Sequence, residues 1–332
     1  MRYCAPTLAL ITLVASAGAC VAPSDDDTGE GTALDDSAEW NDTYDNLVGG
    51  KADDPWCSGV IVPDRPGFGG RVALTFDDGP STATTPQVLD ILAARQIKAT
   101  FFINGSVVGS AQRAVLQRIA DEGHLIGNHS QSHLNLRDVS LATLDSEVLQ
   151  TEDILVELGE TRRFFRFPYG SAGCTAAGRV RDHHGYAITG WHVDSADWCF
   201  ANGAGGVGYC SPSTFAHVPT GYRGDMVGYT LSQIRDSDGG VVLFHDIHQN
   251  TVNHLSAIVD TLLQEGFTFT NLDDASTFPL LNGQQGSSSS AECLSCIEHG
   301  GGAACAPYCP AGDCRSCVEN QGGLACLPRC GG

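Results

Sequence analysis

Between residues 71 and 270 the apolar positions of this chain follow two rhythms in alternation. Short apolar runs at 72–76, 99–103, 124–127, 163–167, 186–193, 240–244 and 267–270 read as strands buried on both faces. Between them, apolar residues recur at helical spacing: Val88, Leu89, Leu92 and Ala93 in 85–95; Val115, Leu116 and Ile119 in 112–122; Leu144, Val148, Ile154 and Leu155 in 141–158. Further helices are expected at 175–183, 226–235 and 251–265. Pro86 suits a first helical turn, and Gly123 and Gly159 close two of the helices. Seven strands alternating with helices call for a parallel sheet. A barrel and an open doubly wound sheet both fit that alternation. Polar clusters stand directly after the strands, where β/α barrels carry their chemistry, and favour an α/β fold built as a (β/α) barrel that need not close completely.

The rhythm breaks over 199–223, a Gly-rich stretch without periodicity that holds Cys199 and Cys210. Irregular chain of that length reads as a functional loop, with the two cysteines paired to stiffen it. Cys57 and Cys174 are then left to join the entry segment at 60–70 to the barrel.

Composition adds compartment and boundaries. The 332 residues, 42% hydrophobic, suffice for a core, and the net charge of −21 argues against nucleic acid and against an anionic membrane surface. Much of that charge is local: Asp25, Asp26, Asp27, Glu30, Asp35, Asp36, Glu39, Asp42 and Asp45 crowd a stretch whose one cation is Lys51, a solvated spacer over 21–56. Residues 1–20 read as an export signal with an apolar run too short to span a membrane. Ala17-Gly18-Ala19-Cys20 resembles a bacterial lipobox, although Ala17 stands where a larger aliphatic residue is usual. A lipidated Cys20 would make the protein a surface lipoprotein, plain secretion being the alternative, and this anchor is the one membrane contact expected. Cysteine usage agrees with export. Eight of the 14 cysteines form two copies of C-x2-C-x8-C-x3-C, at Cys293, Cys296, Cys305, Cys309 and Cys314, Cys317, Cys326, Cys330. Zinc tetrads have that count, but an oxidising compartment favours disulfides. The chain thus divides into a signal (1–20), the spacer, a catalytic domain (57–280), a flexible linker (281–291) and two cysteine-rich repeats (292–332), read as a monomer.

Five polar clusters carry the candidate chemistry. Asp77-Asp78-Gly79-Pro80 ends the first strand, and neighbouring side chains there point in different directions, so one carboxylate can hold a metal while the other faces substrate. His129 and His133 stand at i and i+4, one side of a helical turn, and with Asp78 make a two-histidine, one-carboxylate set suited to zinc or another divalent transition metal. Arg166-Phe167-Pro168-Tyr169-Gly170 follows the fourth strand, Trp191 and Asp194-Ser195-Ala196-Asp197-Trp198 the fifth, and Leu243-Phe244-His245-Asp246 the sixth. Taken one at a time, each cluster also reads as an acidic turn, a surface arginine, core tryptophans or a structural histidine.

In order, TFDDGP, HSQSH, RFPYG, DSADW and LFH resemble the five motifs of the polysaccharide deacetylases, carbohydrate esterase family 4 or the NodB-homology domain, over about residues 71–274. The resemblance implies a distorted, incomplete β/α barrel. It also implies Asp78, His129 and His133 as metal ligands, Asp77 as base on the metal-bound water, and Arg166 paired with Asp77. By the same resemblance the Tyr169 N–H stabilises the oxyanion, His245 is the acid, and Asp197 tunes it. Trp191 and Leu243, with Pro168, would line the acetyl pocket. The implied substrate is an acetylated polysaccharide, a GlcNAc polymer such as peptidoglycan or a chitin-like chain. An O-acetyl esterase acting on xylan and a non-catalytic carbohydrate-binding protein are the alternatives. One departure stands out: the chain from Trp198 to His245 is longer than the family pattern leads one to expect, by roughly the 199–210 stretch, which bears on polymer specificity.

Overall fold

The computed structural model describes residues 68–282, apart from 138, 162, 163 and 280. The signal, the spacer, the cysteine repeats and the Cys57–Cys174 pairing lie outside the described residues. Among the described residues there are eight strands: β1 (Arg71–Asp77), β2 (Thr100–Ile103), β3 (Leu125–Asn128), β4 (Phe164–Phe165), β5 (Ala187–Ile188), β6 (Val193–Asp194), β7 (Gly239–His245) and β8 (Thr268–Thr270). The helices are α1 (Thr85–Ala93), α2 (Ser110–Asp121), α3 (Leu141–Glu157), α4 (Cys174–Gly178, continued by a π turn over Arg179–His183), α5 (Asp197–Asn202), α6 (Met226–Asp236) and α7 (Gln249–Gln264).

All strand pairs are parallel, in the order β5-β4-β3-β2-β1-β7-β6. β1 is the hub. One edge pairs along its whole length with β7, and the other is shared, Arg71 to Ala73 facing β8 and Thr75 to Asp77 facing β2. The path ends at β5 and β6 without a ladder between them, so the barrel is incomplete, as expected.

The strand expected over 186–193 is in fact two, β5 and β6, on opposite free edges of the sheet. Thr189 to His192 carry the chain across that gap, and the Thr189 and Gly190 carbonyls accept hydrogen bonds from Arg166. The 163–167 strand shrinks to two residues, and the irregular stretch gains the short helix α5. Cys199 and Cys210 are disulfide-bonded with Cα atoms 5.0 Å apart, as the spacing led one to expect.

Side-chain alternation sorts two apolar layers. Val72, Leu74 and Phe76 of β1, Phe101 and Ile103 of β2, and Val242 and Phe244 of β7 pack outward against Val88, Leu92, Leu116, Ile119, Leu255 and Val259 of the helices. Ala73, Phe102, Phe164 and Val241 face inward with Phe68, Leu272 and Phe278. Thr75 and Asp77 alternate with the outward set, and their register partners on β7 are Leu243 and His245. The inner face therefore changes from apolar to polar toward the strands' C-terminal ends.

Candidate active site

Asp77 and His245 leave adjacent strands at the same level. Asp77 is 2% exposed and its Oδ1 accepts from Arg166 Nη1 at 2.8 Å. Arg166 is fully buried; it donates also to Thr75 Oγ1 (2.8 Å), Gly190 O (2.8 Å) and Thr189 O (3.4 Å), and its guanidinium lies over the Phe102 ring, 4.3 Å from the centroid. Burial pushes this guanidinium down and the Asp77 carboxylate opposes that, the usual balance for a charge held away from water by its partner.

The next residue turns away. Asp78 has φ of 74°, and the chain passes through a cis Gly79–Pro80 bond. A Cβ on Gly79 would lie 2.3 Å from Asp246 Oδ2, so this turn needs glycine. Asp78 Oδ1 comes within 3.2 Å of His133 Nε2 and 3.4 Å of His129 Nε2. Burial favours a neutral Asp78, but His133 at 3.2 Å, with the charges of His245 and His129, outweighs it and holds the carboxyl well below its usual range.

The histidines converge, though not by the helical turn that their spacing implies. Residues 129–133 are not helical, and Ser130 (φ 66°) and His133 (φ 57°) are left-handed. The bend is held by Ser130 Oγ accepting from His133 N at 3.1 Å and by Asn128 Oδ1 accepting from Ser130 N at 2.9 Å. His129 Nδ1 lies 2.8 Å from the Arg166 carbonyl. A carbonyl only accepts, so Nδ1 carries the proton and Nε2 presents its lone pair toward Asp78. Burial pushes the His129 pKa down.

One ligand atom from each of Asp78, His129 and His133 lies within 4.8 Å of the others. Asp78 Oδ1 is buried without a hydrogen bond of ordinary geometry. A carboxylate oxygen and two imidazole nitrogens converging this way fit a divalent cation, with positions left for water and substrate.

On the other side stands His245. Its Nδ1 is 2.8 Å from Asp197 Oδ1, while its backbone N–H donates to Asp197 Oδ2 at 2.7 Å. Thr251 Oγ1 and the Trp198 backbone N–H also donate to Asp197, which is fully buried. Burial opposes charge on the imidazole, but Asp197, with Asp78 and Asp77 behind it, holds the His245 pKa up at about 10. His245 Nε2 faces Asp78 Oδ2 at 4.0 Å.

The remaining expected residues sit around this centre. Pro168 is buried and opens a tight turn in which Tyr169 is left-handed (φ 59°, ψ 9°), with the Tyr169 ring edge-on to His133 at 4.6 Å. Trp191 is half-buried, its ring 5.7 Å from the Arg166 guanidinium, and Leu243 is buried beside Thr75 and Asp194 in the strand register. Five of the seven left-handed non-glycine residues described, Asp78, Ser130, His133, Tyr169 and Ala196, lie in these loops, a concentration of backbone strain typical of functional sites.

Two acidic residues to which the motif reading gave no role also hold the centre. Asp194 Oδ1 accepts from Ala196 N at 2.7 Å and sets the turn into Asp197; burial pushes its carboxyl up to about 7. Burial pushes Asp246 to about 7 as well; it accepts from the Thr85 hydroxyl and abuts Gly79. Asp194 opens the DSADW stretch and Asp246 follows His245 directly, which was the available signal.

Comparison with known proteins agrees with the geometry. The family model for polysaccharide deacetylase matches residues 65–188. A chitin deacetylase of Colletotrichum lindemuthianum is 31% identical over 204 residues, covering 60% of this chain and 76% of that protein. The chain belongs to the polysaccharide deacetylase family. A peptidoglycan-N-acetylglucosamine deacetylase of Listeria monocytogenes is 33% identical over 220 residues, 65% of this chain but 41% of the relative's length. Among solved structures, a peptidoglycan N-acetylglucosamine deacetylase in complex with 4-naphthalen-1-yl-N-oxidanyl-benzamide is 30% identical with a TM-score of 0.52, over 65% of this chain and 91% of that one. Within this polysaccharide deacetylase family member, the family-model match takes in the clusters after β1, β3 and β4, and the clusters at the ends of β6 and β7 stand at the same end of the sheet.

Proposed function

We propose that this protein is an exported, metal-dependent hydrolase that removes N-acetyl groups from a GlcNAc-containing polymer, peptidoglycan or a chitin-like chain. The observation that carries this reading is the meeting of three devices in one cleft: a carboxylate held by a buried arginine, a two-histidine, one-carboxylate donor set, and an imidazole held by a buried carboxylate. Relatives named peptidoglycan and chitin deacetylases support the substrate class.

Amide hydrolysis needs a base for water and an acid for a poor leaving group. Asp77, fixed by Arg166, takes a proton from water as the water oxygen bonds to the acetyl carbon. His245, charged at neutral pH through Asp197, gives its proton to the sugar nitrogen as the C–N bond breaks, leaving amine and acetate. The Tyr169 N–H donates to the oxyanion, and Trp191, Leu243 and Pro168 line the acetyl pocket. Asp78, His129 and His133 would hold zinc or another divalent transition metal, which would supply Lewis-acid chemistry at this site.

Acetate release from chito-oligosaccharides, peptidoglycan and acetylxylan, with and without chelator and added zinc, tests the proposal. Release from the first two, abolished by chelator and restored by zinc, is expected. Release from acetylxylan alone overturns the N-deacetylase reading, and release indifferent to chelator overturns the metal.

A further inference from the structure

We propose that Glu147 is a positioning residue for the metal ligand His133. The inference rests on the reading that Asp78, His129 and His133 hold a divalent ion.

The segment from His129 to His133 has no helical ladder of its own and bends through two left-handed residues. Its shape must come from its neighbours, and α3 provides much of it. The buried stripe of α3 consists of Leu144, Glu147, Val148, Thr151 and Leu155. Three points on that stripe reach the ligand loop. Val148 O accepts from Asn128 Nδ2 at 2.9 Å, Thr151 Oγ1 donates to Gln131 Oε1 at 3.2 Å, and Glu147 grips Ser132 twice. Glu147 Oε2 accepts the Ser132 N–H at 2.7 Å and Oε1 accepts the Ser132 hydroxyl at 2.5 Å.

A carboxylate 7% exposed on a stripe otherwise made of Leu, Val and Thr is expensive to desolvate. Nothing in helix packing calls for it, since leucine or methionine would fill the same space. What the carboxylate does is fix both donors of the residue directly before His133. His133 N is in turn held by Ser130 Oγ, so the peptide on each side of that residue is anchored. Such outer supports orient a ligand that would otherwise lose entropy on binding metal, and their loss typically costs about 10–100-fold in affinity.

The test is zinc affinity of the full chain, stripped of metal and titrated against a chromogenic chelator, with urea unfolding of the metal-free forms in parallel. Glu147→Ala is expected to weaken zinc binding by about 10–100-fold. Glu147→Gln retains most affinity, because its amide oxygen accepts the Ser132 N–H while its NH2 donates to Ser132 Oγ. Ser132→Ala, which removes one of the two bonds, falls between, and adding it to Glu147→Ala changes nothing further. Wild-type affinity in Glu147→Ala, whatever its stability, overturns the proposal. If that variant fails to fold, Ser132→Ala decides: several-fold weaker zinc binding supports the role, unchanged binding overturns it. A wild-type chain that binds no zinc refutes the metal reading itself, a separate and distinguishable failure.

Discussion

Arg166, one residue beyond β4, reaches past β3 and β2 to meet Asp77 at the end of β1, at 2.8 Å. The same guanidinium closes off the carbonyls of Thr189 and Gly190 in the gap between β5 and β6. One side chain thus joins the proposed base to the place where the barrel fails to close.

Removing that cation strands a buried carboxylate. Arg166→Leu is expected to cost about 3–5 kcal/mol of stability, the usual range for breaking one side of a buried pair. Arg166→Lys should recover part of it, since an ammonium keeps the charge without the fork that spans Asp77, Thr75 and Gly190. Urea unfolding measures both, and a loss below about 1 kcal/mol in Arg166→Leu contradicts the account.

The two adjacent aspartates should separate by phenotype. Asp77→Asn is expected to lower kcat/KM by about 10²–10⁴-fold while zinc stays bound, as for loss of a general base. Asp78→Asn is expected to weaken zinc binding. Metal content measured alongside acetate release distinguishes them, and near-normal turnover by Asp77→Asn refutes the assigned base.

The Asp197–His245 pair makes a pH prediction. A general acid works only while protonated, so activity is lost as pH rises through its pKa. Asp197 raises the His245 pKa and burial lowers it, so Asp197→Asn leaves burial unopposed by its main partner. The alkaline limb of the kcat/KM profile is therefore expected to move to lower pH. A limb that stays in place assigns the proton to another group.

His124 predicts acid sensitivity of the fold. Its Nδ1 accepts the Ala99 N–H at 3.1 Å, and burial, reinforced by the charge of Lys98, lowers its pKa from 6.5 to about 4. Between these values the unfolded chain binds a proton that the folded protein refuses. Stability contributed by the neutral ring is therefore complete above pH 6.5 and falls as pH drops toward 4, by up to about 1.4 kcal/mol per unit. Urea midpoints at several pH values should show this slope in the wild type and a shallower one in His124→Gln.

Much of this was legible along the chain. Strands, helices and the polar clusters after them follow from local periodicity, because burial of alternate or every third-to-fourth side chain is written in neighbouring residues. The Cys199–Cys210 bridge was legible too, being a short-range pairing. The split at 186–193 was not. A continuous apolar stretch looks the same whether it forms one strand or two, and only the position of Arg166 beneath the Thr189 and Gly190 carbonyls marks the crossing. Glu147 shows the complementary blind spot: a charge on a buried stripe is visible, but its partner lies 15 residues away on a loop with no repeating pattern.

By itself the sequence determined the candidate residues and the strand ends at which they stand, since motif spacing and hydrophobic rhythm are local properties. The tertiary structure decided how they meet. His129 and His133 converge on Asp78 through left-handed backbone rather than a helical turn, and Asp197 grips His245 from 48 residues away. Those relations depend on sheet register and on desolvation inside the barrel, and both exist only once distant segments have packed.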